Sequence, residues 1–313
     1  MKNNLKLKIG IYITLIVFLL SGCMKSPENN LKNQQITYTV TDTTNTTLEF
    51  SQKPQRIMSM NVAIDEILCE LVDTKRIIAL STLADDQNIS TIGEKAKTIQ
   101  GRVTSTNIEQ ILAYQPDLIL VPDYNLNTVK ALRSLGLKVY VCKIPTNVSE
   151  IFSLIQEISS VVDEKYRGEM LLNTTKNKLS NIELQLAQNN ITSPKKVILL
   201  SLFGPLGKQG TFSDVCHFAG VENYFANKNI IYEGVFPEEL LLNADADIIL
   251  LTDKNIQRET ILNNPLYQNI PAVKNKAIYY IRGNYLNCTS QNFVESVIEI
   301  AHIAYPNIKF EHN

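Results

Sequence analysis

Residue types that could do chemistry are few in this chain, and they are scattered. It has three histidines, no two of which are close in sequence: His217, His302 and His312. Its cysteines form no CxxC pair and no Cys/His spacing of the kind that binds zinc. They are Cys23, Cys69, Cys142, Cys216 and Cys288. Neither a resident metal site nor binding of a bare metal ion is therefore predicted.

The glycine-rich stretch at 204–210, GPLGKQG, is similar to a phosphate-binding loop but fails its spacing. That loop needs four residues between its glycines and a Ser or Thr after its Lys, whereas Gln209 follows Lys208 here. Neither a GxSxG nucleophile elbow nor an HExxH zinc motif is present. We therefore expect no catalytic residue and no cofactor, and an extracytoplasmic hydrolase is the weaker interpretation.

One cysteine lies where a modification is predicted. Three lysines precede an uncharged apolar run of about 12 residues, 9–20, which is too short to span a membrane but fits the core of a signal peptide. The run ends in LSGC, and small residues directly before a cysteine resemble the lipobox of bacterial lipoproteins. We expect residues 1–22 to be a cleaved signal peptide and Cys23 to carry the lipid anchor. The alternatives are a secretory signal with a chance cysteine and a short core helix.

Disulfide bonds are permitted in such an extracytoplasmic, membrane-anchored protein, and pairing among the other four cysteines stays open. Cys69, within ILCELV, is expected to be a buried free thiol on a helix. Residues 23–35 are polar without apolar periodicity and predict a flexible tether.

The composition is that of a folded globular protein. The 313 residues are 44% hydrophobic and 19% charged, which excludes collagen-like, low-complexity and wholly disordered chains. The formal charge is −1 and becomes −4 when the three signal-peptide lysines are removed. Because there is no basic surplus, no nucleic-acid partner is expected.

The elements that position these side chains alternate between strands and helices. Residues 36–50 predict a small antiparallel hairpin. In the first half, strands are predicted at 56–60, 76–81, 117–121 and 138–141, with helices at 62–72, 107–113 and 126–135. In the second half, strands are predicted at 197–203, 247–252 and 277–281, with helices at 213–219, 237–242 and 291–305. Alternation of this kind predicts parallel sheets covered on both faces.

A long helix is expected between the two halves. Residues 151–158 follow helical spacing, and after Asp163 a second helical pattern runs to Leu186 without proline. A helix over 164–186 would be on the order of 35 Å long, so we interpret it as a connector between two lobes. The predicted first lobe is 36–160, the connecting helix is 161–192, and the second lobe is 193–313. A helix wholly inside one domain is the alternative.

Both lobes contain a similar phrase. NIEQILAYQPDLILV ends at Val121, and FPEELLLNADADIILL ends at Leu251. Each phrase has a glutamate, a leucine three residues on, and an aspartate eight residues on that precedes an apolar strand. Glu109 and Glu239 thus occupy equivalent positions. Each glutamate would also be favoured simply by the positive end of its helix.

These phrases resemble the substrate-binding lipoproteins of ABC importers for iron chelates and cobalamin. NIEQILAYQPDLIL is similar to the family's Asn-x-Glu…Pro-Asp-Leu-Ile phrase, KPQRIMSM to its opening strand, and GTFSDVCHFAGVENYF to a second-lobe helix. NNPLYQNIPAVKNKAIYYI is similar to the family's closing stretch, and Ala246 departs from its usual Pro. The resemblance covers nearly all of the chain after the tether. It implies an α/β fold of two Rossmann-like lobes with central, mostly parallel sheets, joined by a single long helix, with the ligand cleft between the lobes.

The resemblance also implies partners. One surface glutamate per lobe would dock with arginines of the permease, and that role falls on Glu109 and Glu239, with Glu238 as an adjacent substitute. Such fixed charges favour orientation and on-rate more than affinity. The expected partners are an ABC permease dimer with its ATPase, the membrane through the lipid anchor, and a small-molecule chelate bound by a monomer.

Ligands of open parallel sheets bind beyond the carboxyl ends of the strands. The candidate ligand-binding residues are the aromatic, apolar, amide and cationic side chains of those loops. They are Met60, Asn61, Leu83, Tyr124, Phe203, Lys208, Phe212, Tyr232, Arg282, Asn284 and Tyr285. Aromatic side chains would give the ligand a flat platform, and Lys208 and Arg282 would meet carboxylate, phosphate or catecholate oxygens.

The ligand class follows from the resemblance rather than from these residues. It implies a metal chelate, a ferric siderophore first, with cobalamin or haem as alternatives. For haem, Met58, Met60, a tyrosine or His217 would be the candidate axial ligands. A sensor lipoprotein that retains the fold without taking part in transport is the other alternative.

Overall fold

The computed structural model describes residues 37–104, 107–191, 193–201, 204–205, 210–226, 239–242, 244–252, 256–286 and 288–310. Residues 37–313 belong to one unit. No helix in the described part of the chain is both long and apolar enough to cross a membrane.

The first lobe is built on a five-stranded parallel sheet. A hairpin of β1 (Tyr38–Thr41) and β2 (Thr47–Phe50) precedes the sheet. The sheet strands are β3 (Ile57–Ser59), β4 (Ile77–Ser81), β5 (Gly101–Val103), β6 (Leu118–Pro122) and β7 (Val139–Cys142), in the order β5-β4-β3-β6-β7. The central strands are runs of apolar residues without polar alternation, because helices cover both of their faces.

Helices follow or precede each of these strands. They are α1 (Val62–Leu71), α2 (Gly93–Ala96), α3 (Ile108–Ala113), α4 (Leu126–Ser134) and α5 (Val148–Val161). Two short 3₁₀ turns, Thr74–Arg76 and Thr82–Asp85, flank β4. The predicted hairpin, strands and helices of this half are confirmed, whereas β5 and α2 were not predicted.

The predicted long helix is confirmed as α6 (Lys165–Gln188), 24 residues or about 36 Å in length. Asp163 separates it from α5 with a left-handed backbone, φ 55°, and Asn190 ends it with φ 52°. Its buried positions repeat at steps of three and four residues, so one face packs and the other meets solvent. They are Gly168, Leu172, Thr175, Leu179, Ile182 and Leu186.

The second lobe repeats the plan around a second five-stranded sheet. Its strands are β8 (Lys196–Ser201), β9 (Gly204–Pro205), β10 (Glu222–Asn223), β11 (Ile248–Leu251) and β12 (Ile278–Tyr280). The order is β10-β8-β11-β12 with all neighbours parallel, and β9 adds to β8 antiparallel. The helices are α7 (Phe212–Phe218), α8 (Glu239–Leu242), α9 (Arg258–Asn263), α10 (Pro271–Lys274), α11 (Gly283–Leu286) and α12 (Phe293–Ala304), and a 3₁₀ turn lies at Pro265–Tyr267.

The aspartate of the repeated phrase has the same structural role in both lobes. The carboxylate of Asp117 accepts hydrogen bonds from the backbone N–H groups of Gln55 and Arg56, at 2.7 and 2.8 Å, just before β3. In the second lobe, the carboxylate of Asp247 accepts one from the N–H of Lys196, at 2.8 Å, at the start of β8. In each lobe, therefore, the aspartate ties the beginning of one strand to its neighbour.

One apolar core continues through both lobes along the buried face of α6. It contains residues of α1 and α5 on one side and of α7 and α12 on the other. A second core lies on the outer face of each sheet. The long helix is thus packed between the lobes along its length.

Candidate functional site

Three of the predicted ligand-binding residues lie at the carboxyl edge of the first sheet, where its parallel strands end. Asn61 follows β3, Leu83 follows β4 and Tyr124 follows β6, and these three strands are neighbours. The amide N–H of Asn61 donates to the Tyr124 hydroxyl at 3.0 Å, while its carbonyl oxygen caps α1 by accepting from Ala63 N–H at 2.9 Å. One side chain therefore both starts a helix and orients the tyrosine ring.

Exposed apolar side chains lie at this edge, beside the exposed carboxylates of Asp85 and Asp86. Tyr124 is 66% exposed and Leu83 is 47% exposed. Two further apolar side chains from the same loops, Ile89 and Leu126, are also exposed. They were missed in the sequence, although their positions after β4 and β6 were a sufficient signal. We call Asn61, Leu83, Ile89, Tyr124 and Leu126 the apolar edge.

The nearest cation to the loop after β4 is already engaged. Arg102 donates from Nε and from one terminal nitrogen to the two carboxylate oxygens of Asp85, at 2.7 and 2.6 Å. It also donates to the backbone carbonyls of Ala96, Ile99 and Gly101. The hydrogen bonds from Arg102 hold the pKa of the Asp85 carboxyl below its usual range. This guanidinium is therefore a structural tie and not a free anion receptor.

In the second lobe, three predicted residues come together after β12. The Arg282 guanidinium lies 4.3 Å from the centre of the Tyr285 ring, and its Nε donates to Glu299 at 3.2 Å. The amide of Asn284 reaches across to the first lobe, where it donates to the carbonyl of Ser90 at 3.2 Å. These residues and the 87–95 segment line a cavity of about 580 Å³ between the lobes.

The charges around that cavity are paired. Lys95 forms an ion pair with Glu70, and Glu295 forms one with Lys178 of α6 at 3.2 Å. Among the described residues, no group of three His, Cys, Asp or Glu side chains is arranged to hold a metal ion.

Comparison with known sequences agrees with this architecture. Residues 57–285, more than two thirds of the chain, match the periplasmic binding protein family. The chain belongs to this family. It is therefore a solute-binding protein.

Individual relatives are distant but match over nearly full length. The ABC transporter substrate-binding lipoprotein YvrC of Bacillus subtilis is 20% identical, and the match covers 97% of this chain and 99% of YvrC. A cobalamin-binding protein of Halobacterium salinarum is 20% identical, with 93% and 84% covered. Among solved structures, a possible iron-binding periplasmic solute-binding protein of Staphylococcus epidermidis has a TM-score of 0.68 at 21% identity, over 81% of this chain and all of that one. The structural likeness confirms the fold.

Two of the predicted ligand contacts, Met60 and Phe212, are wrong because both side chains are buried. Met60 is 7% exposed because its side chain joins the outer core of the first lobe, with residues of α3 and α4. Phe212, the first residue of α7, is 1% exposed because it packs in the core shared by both lobes. Each side chain stabilises an element beside the cleft instead of lining it.

Other predicted residues lie outside the described residues. They are Cys23, Phe203, Lys208 and Tyr232. Glu239 is described only by its backbone, as the first residue of α8.

Glu109 is exposed in the first turn of α3. Asn107 caps this helix by accepting a hydrogen bond from Gln110 N–H at 3.0 Å. A helix that leads into a strand of a parallel sheet begins at the carboxyl edge, so α3 and α8 both start on the ligand side of their lobes. The two glutamates therefore begin equivalent helices, as the repeated phrase predicted.

The four described cysteines are free and buried: Cys69, Cys142, Cys216 and Cys288. The prediction that Cys69 is a buried free thiol on a helix is confirmed, since it lies on α1. Burial raises the pKa of the Cys69 thiol to about 12 and raises the pKa of Cys288 well above its ordinary value. Both thiols are therefore poor nucleophiles, and that of Cys288 donates a hydrogen bond to Glu66.

Proposed function

We propose that the protein captures a metal chelate, a ferric siderophore first, outside the cytoplasm and delivers it to the permease of an ABC importer. The observation that carries this proposal is the apolar edge, five uncharged side chains that end three neighbouring strands in a member of a solute-binding family. Such a surface fits the organic shell of a chelate, while the metal stays within its own ligands. The chemistry is capture and release without covalent change.

Polar selectivity would come from the second lobe. The Arg282 guanidinium stacks on Tyr285 and, among the described residues, has N–H donors left beyond its bond to Glu299. A planar guanidinium of this kind can donate to carboxylate or catecholate oxygens at the periphery of a chelate. The ligand would therefore be held between an apolar first-lobe surface and a cationic second-lobe group.

Cobalamin is the second candidate ligand. The Halobacterium salinarum relative is named as a cobalamin-binding protein. The apolar edge supports the same ligand, because Tyr124 can pack flat on a corrin ring.

Delivery to a permease is supported by the two matched glutamates and by the name of the Bacillus subtilis relative. Residues 1–22 would be removed, Cys23 would carry the lipid anchor, and 23–35 would be the tether. The lobes would then face the permease from the outer side of the membrane.

Calorimetric titration of the purified full chain tests the ligand. The titrants are a ferric hydroxamate, a ferric catecholate, cyanocobalamin and haemin. We expect one class to bind, and Tyr124→Ala to weaken that binding about tenfold or more, as expected for loss of an aromatic contact worth roughly 1.5 kcal/mol.

Tyr166→Ala is the matched control, because Tyr166 is 73% exposed on α6, away from the strand ends. It should bind like the unaltered protein. Binding of none of the four titrants would contradict the proposal and favour the sensor lipoprotein. Equal loss in both variants would remove Tyr124 from the site.

A further inference from the structure

The contact between the lobes contains a buried carboxylate that the ligand site does not use. Glu66 lies on α1, within the apolar helix pattern, and is 2% exposed. One carboxylate oxygen accepts from the N–H and the hydroxyl of Thr91, at 2.8 and 2.7 Å, inside the first lobe. The other accepts from the hydroxyl of Ser290 at 2.5 Å and from the thiol of Cys288 at 3.1 Å, both in the second lobe.

Further hydrogen bonds reinforce this joint. The side chain of Gln291 donates to the backbone carbonyl of Glu66 at 3.3 Å, and that of Asn292 donates to the Thr91 hydroxyl at 2.7 Å. A cavity of about 110 Å³ lies beside them, lined by residues of α1 and of the 288–289 segment. Apolar packing is thus incomplete at this level of the interface, and directional hydrogen bonds hold the two sides together.

A second carboxylate makes the reverse connection. Asp214 belongs to α7 of the second lobe, and its carboxylate accepts from the backbone N–H of Val148 at 2.8 Å. Val148 is the first residue of α5, which follows β7 at one edge of the first sheet. Thr91, by contrast, belongs to the segment that joins β4 to β5 at the opposite edge.

Two attachments at opposite edges restrict the motion of the lobes more than a single attachment does. A single hydrogen-bonded joint leaves the lobes free to rotate about it, whereas two separated joints oppose both opening and twisting. A buried carboxylate with several donors is also costly to release, because a lobe that moves away leaves the charge without its partners. The shared apolar core along α6 has no such directional preference.

We infer that Glu66 and Asp214 are positioning residues that set the angle between the lobes and so hold the ligand cleft in its binding geometry. This inference rests on the proposed function for the purpose of the cleft. Its physical content, a fixed lobe angle in the ligand-free protein, can be measured without any ligand.

The experiment measures the distance between the lobes in the full chain. Spin labels are introduced as noncanonical amino acids at Lys130 on α4 and Lys274 on α10, which are exposed and lie in different lobes. This labelling leaves all cysteines untouched. We expect one narrow distance distribution in the unaltered protein, and a distribution at least about twice as wide in Glu66→Ala and in Asp214→Ala, since more lobe orientations become populated.

Conservative variants separate positioning from general damage. Glu66→Gln keeps an oxygen for Thr91 and presents an N–H to the Ser290 hydroxyl, and Asp214→Asn keeps an oxygen for Val148, so both should restore the narrow distribution. Glu169→Ala is the matched control, because this carboxylate is exposed on α6 and does not line the cavity between the lobes. Ser290→Ala is the substitute where Glu66→Ala does not fold.

Unchanged distributions in the Glu66→Ala and Asp214→Ala variants, or equal broadening in Glu169→Ala, would overturn the inference. Where a ligand has been found, broadening should be matched by weaker binding in proportion to the lost binding-competent fraction. Absence of binding in the unaltered protein, with broadening intact, would count against the proposed function alone.

Discussion

At the residue scale, Asp65 is a carboxyl group buried inside the first lobe. It is fully buried on α1, and its carboxyl group accepts from the Ser81 hydroxyl at 2.5 Å and from the Ser81 N–H. Burial raises its pKa to about 7 against these hydrogen bonds, and the neighbouring Glu66 raises it further. The folded protein therefore holds a proton on Asp65 at pH values where an unfolded chain has lost it.

The consequence is a stability that falls with pH. Because the folded pKa lies above the unfolded value of about 4, this contribution is complete below about pH 4 and is lost as the pH rises through about 7. Asp65→Asn should remove this part of the slope, which amounts to about 4 kcal/mol at most. Urea unfolding at pH 4.5 and pH 7.5 measures it, with Asp73→Asn, an exposed aspartate, as the control. An Asp65→Asn slope equal to that of the unaltered protein would contradict the assignment.

At the element scale, the crossing of α5 and α6 depends on a glycine. A Cβ added at Gly168 would lie 2.4 Å from the Cβ and Oγ of Ser159, closer than packed atoms can approach. Gly168→Ala should therefore force the helices apart and destabilise the protein by about 1–3 kcal/mol. Gly93, on α2, has nothing within 4 Å of such a Cβ, so Gly93→Ala is the matched control. Thermal unfolding compares the two, and equal effects would mean that the crossing is not tightly packed.

The elements that the sequence predicted well are those whose signal is local. The long helix and the central strands follow from apolar periodicity and from runs of Ile, Val and Leu. β5 was missed because it is three residues long and exists by pairing with β4, where Gly101 allows an approach that no Cβ would permit. The short helices α2 and α10 have four residues each, too few for a periodic pattern.

At the scale of the whole molecule, the site was predictable only in part. Asn61, Leu83 and Tyr124 could be assigned to one edge because parallel strands end together. The burial of Phe212 and the hydrogen-bond partners of Glu66 could not be predicted from the sequence, because both depend on contacts with distant segments. Glu66 lies more than 200 positions from Ser290, and in the sequence it reads as an ordinary charged helix residue.

Delivery to a permease also depends on the whole molecule, because the two matched glutamates belong to different lobes. Glu109 and Glu239 lie in the first turns of the helices that precede β6 and β11, so each lobe carries one of the two matched glutamates. Charges held in this way orient an encounter with a basic permease surface and contribute little to capture of the ligand. The double variant Glu109→Ala/Glu239→Ala should therefore lose most uptake, by cells that carry the permease, of the chelate found by calorimetry. Its affinity for that ligand should be unchanged.

The single variants should show intermediate uptake, because each removes one of the two attachments. Glu49→Ala, which removes an exposed charge from the hairpin strand β2, should leave uptake intact. Normal uptake in the double variant would show that the repeated phrase serves its helices alone, and a loss of ligand affinity would place the glutamates in the binding site instead.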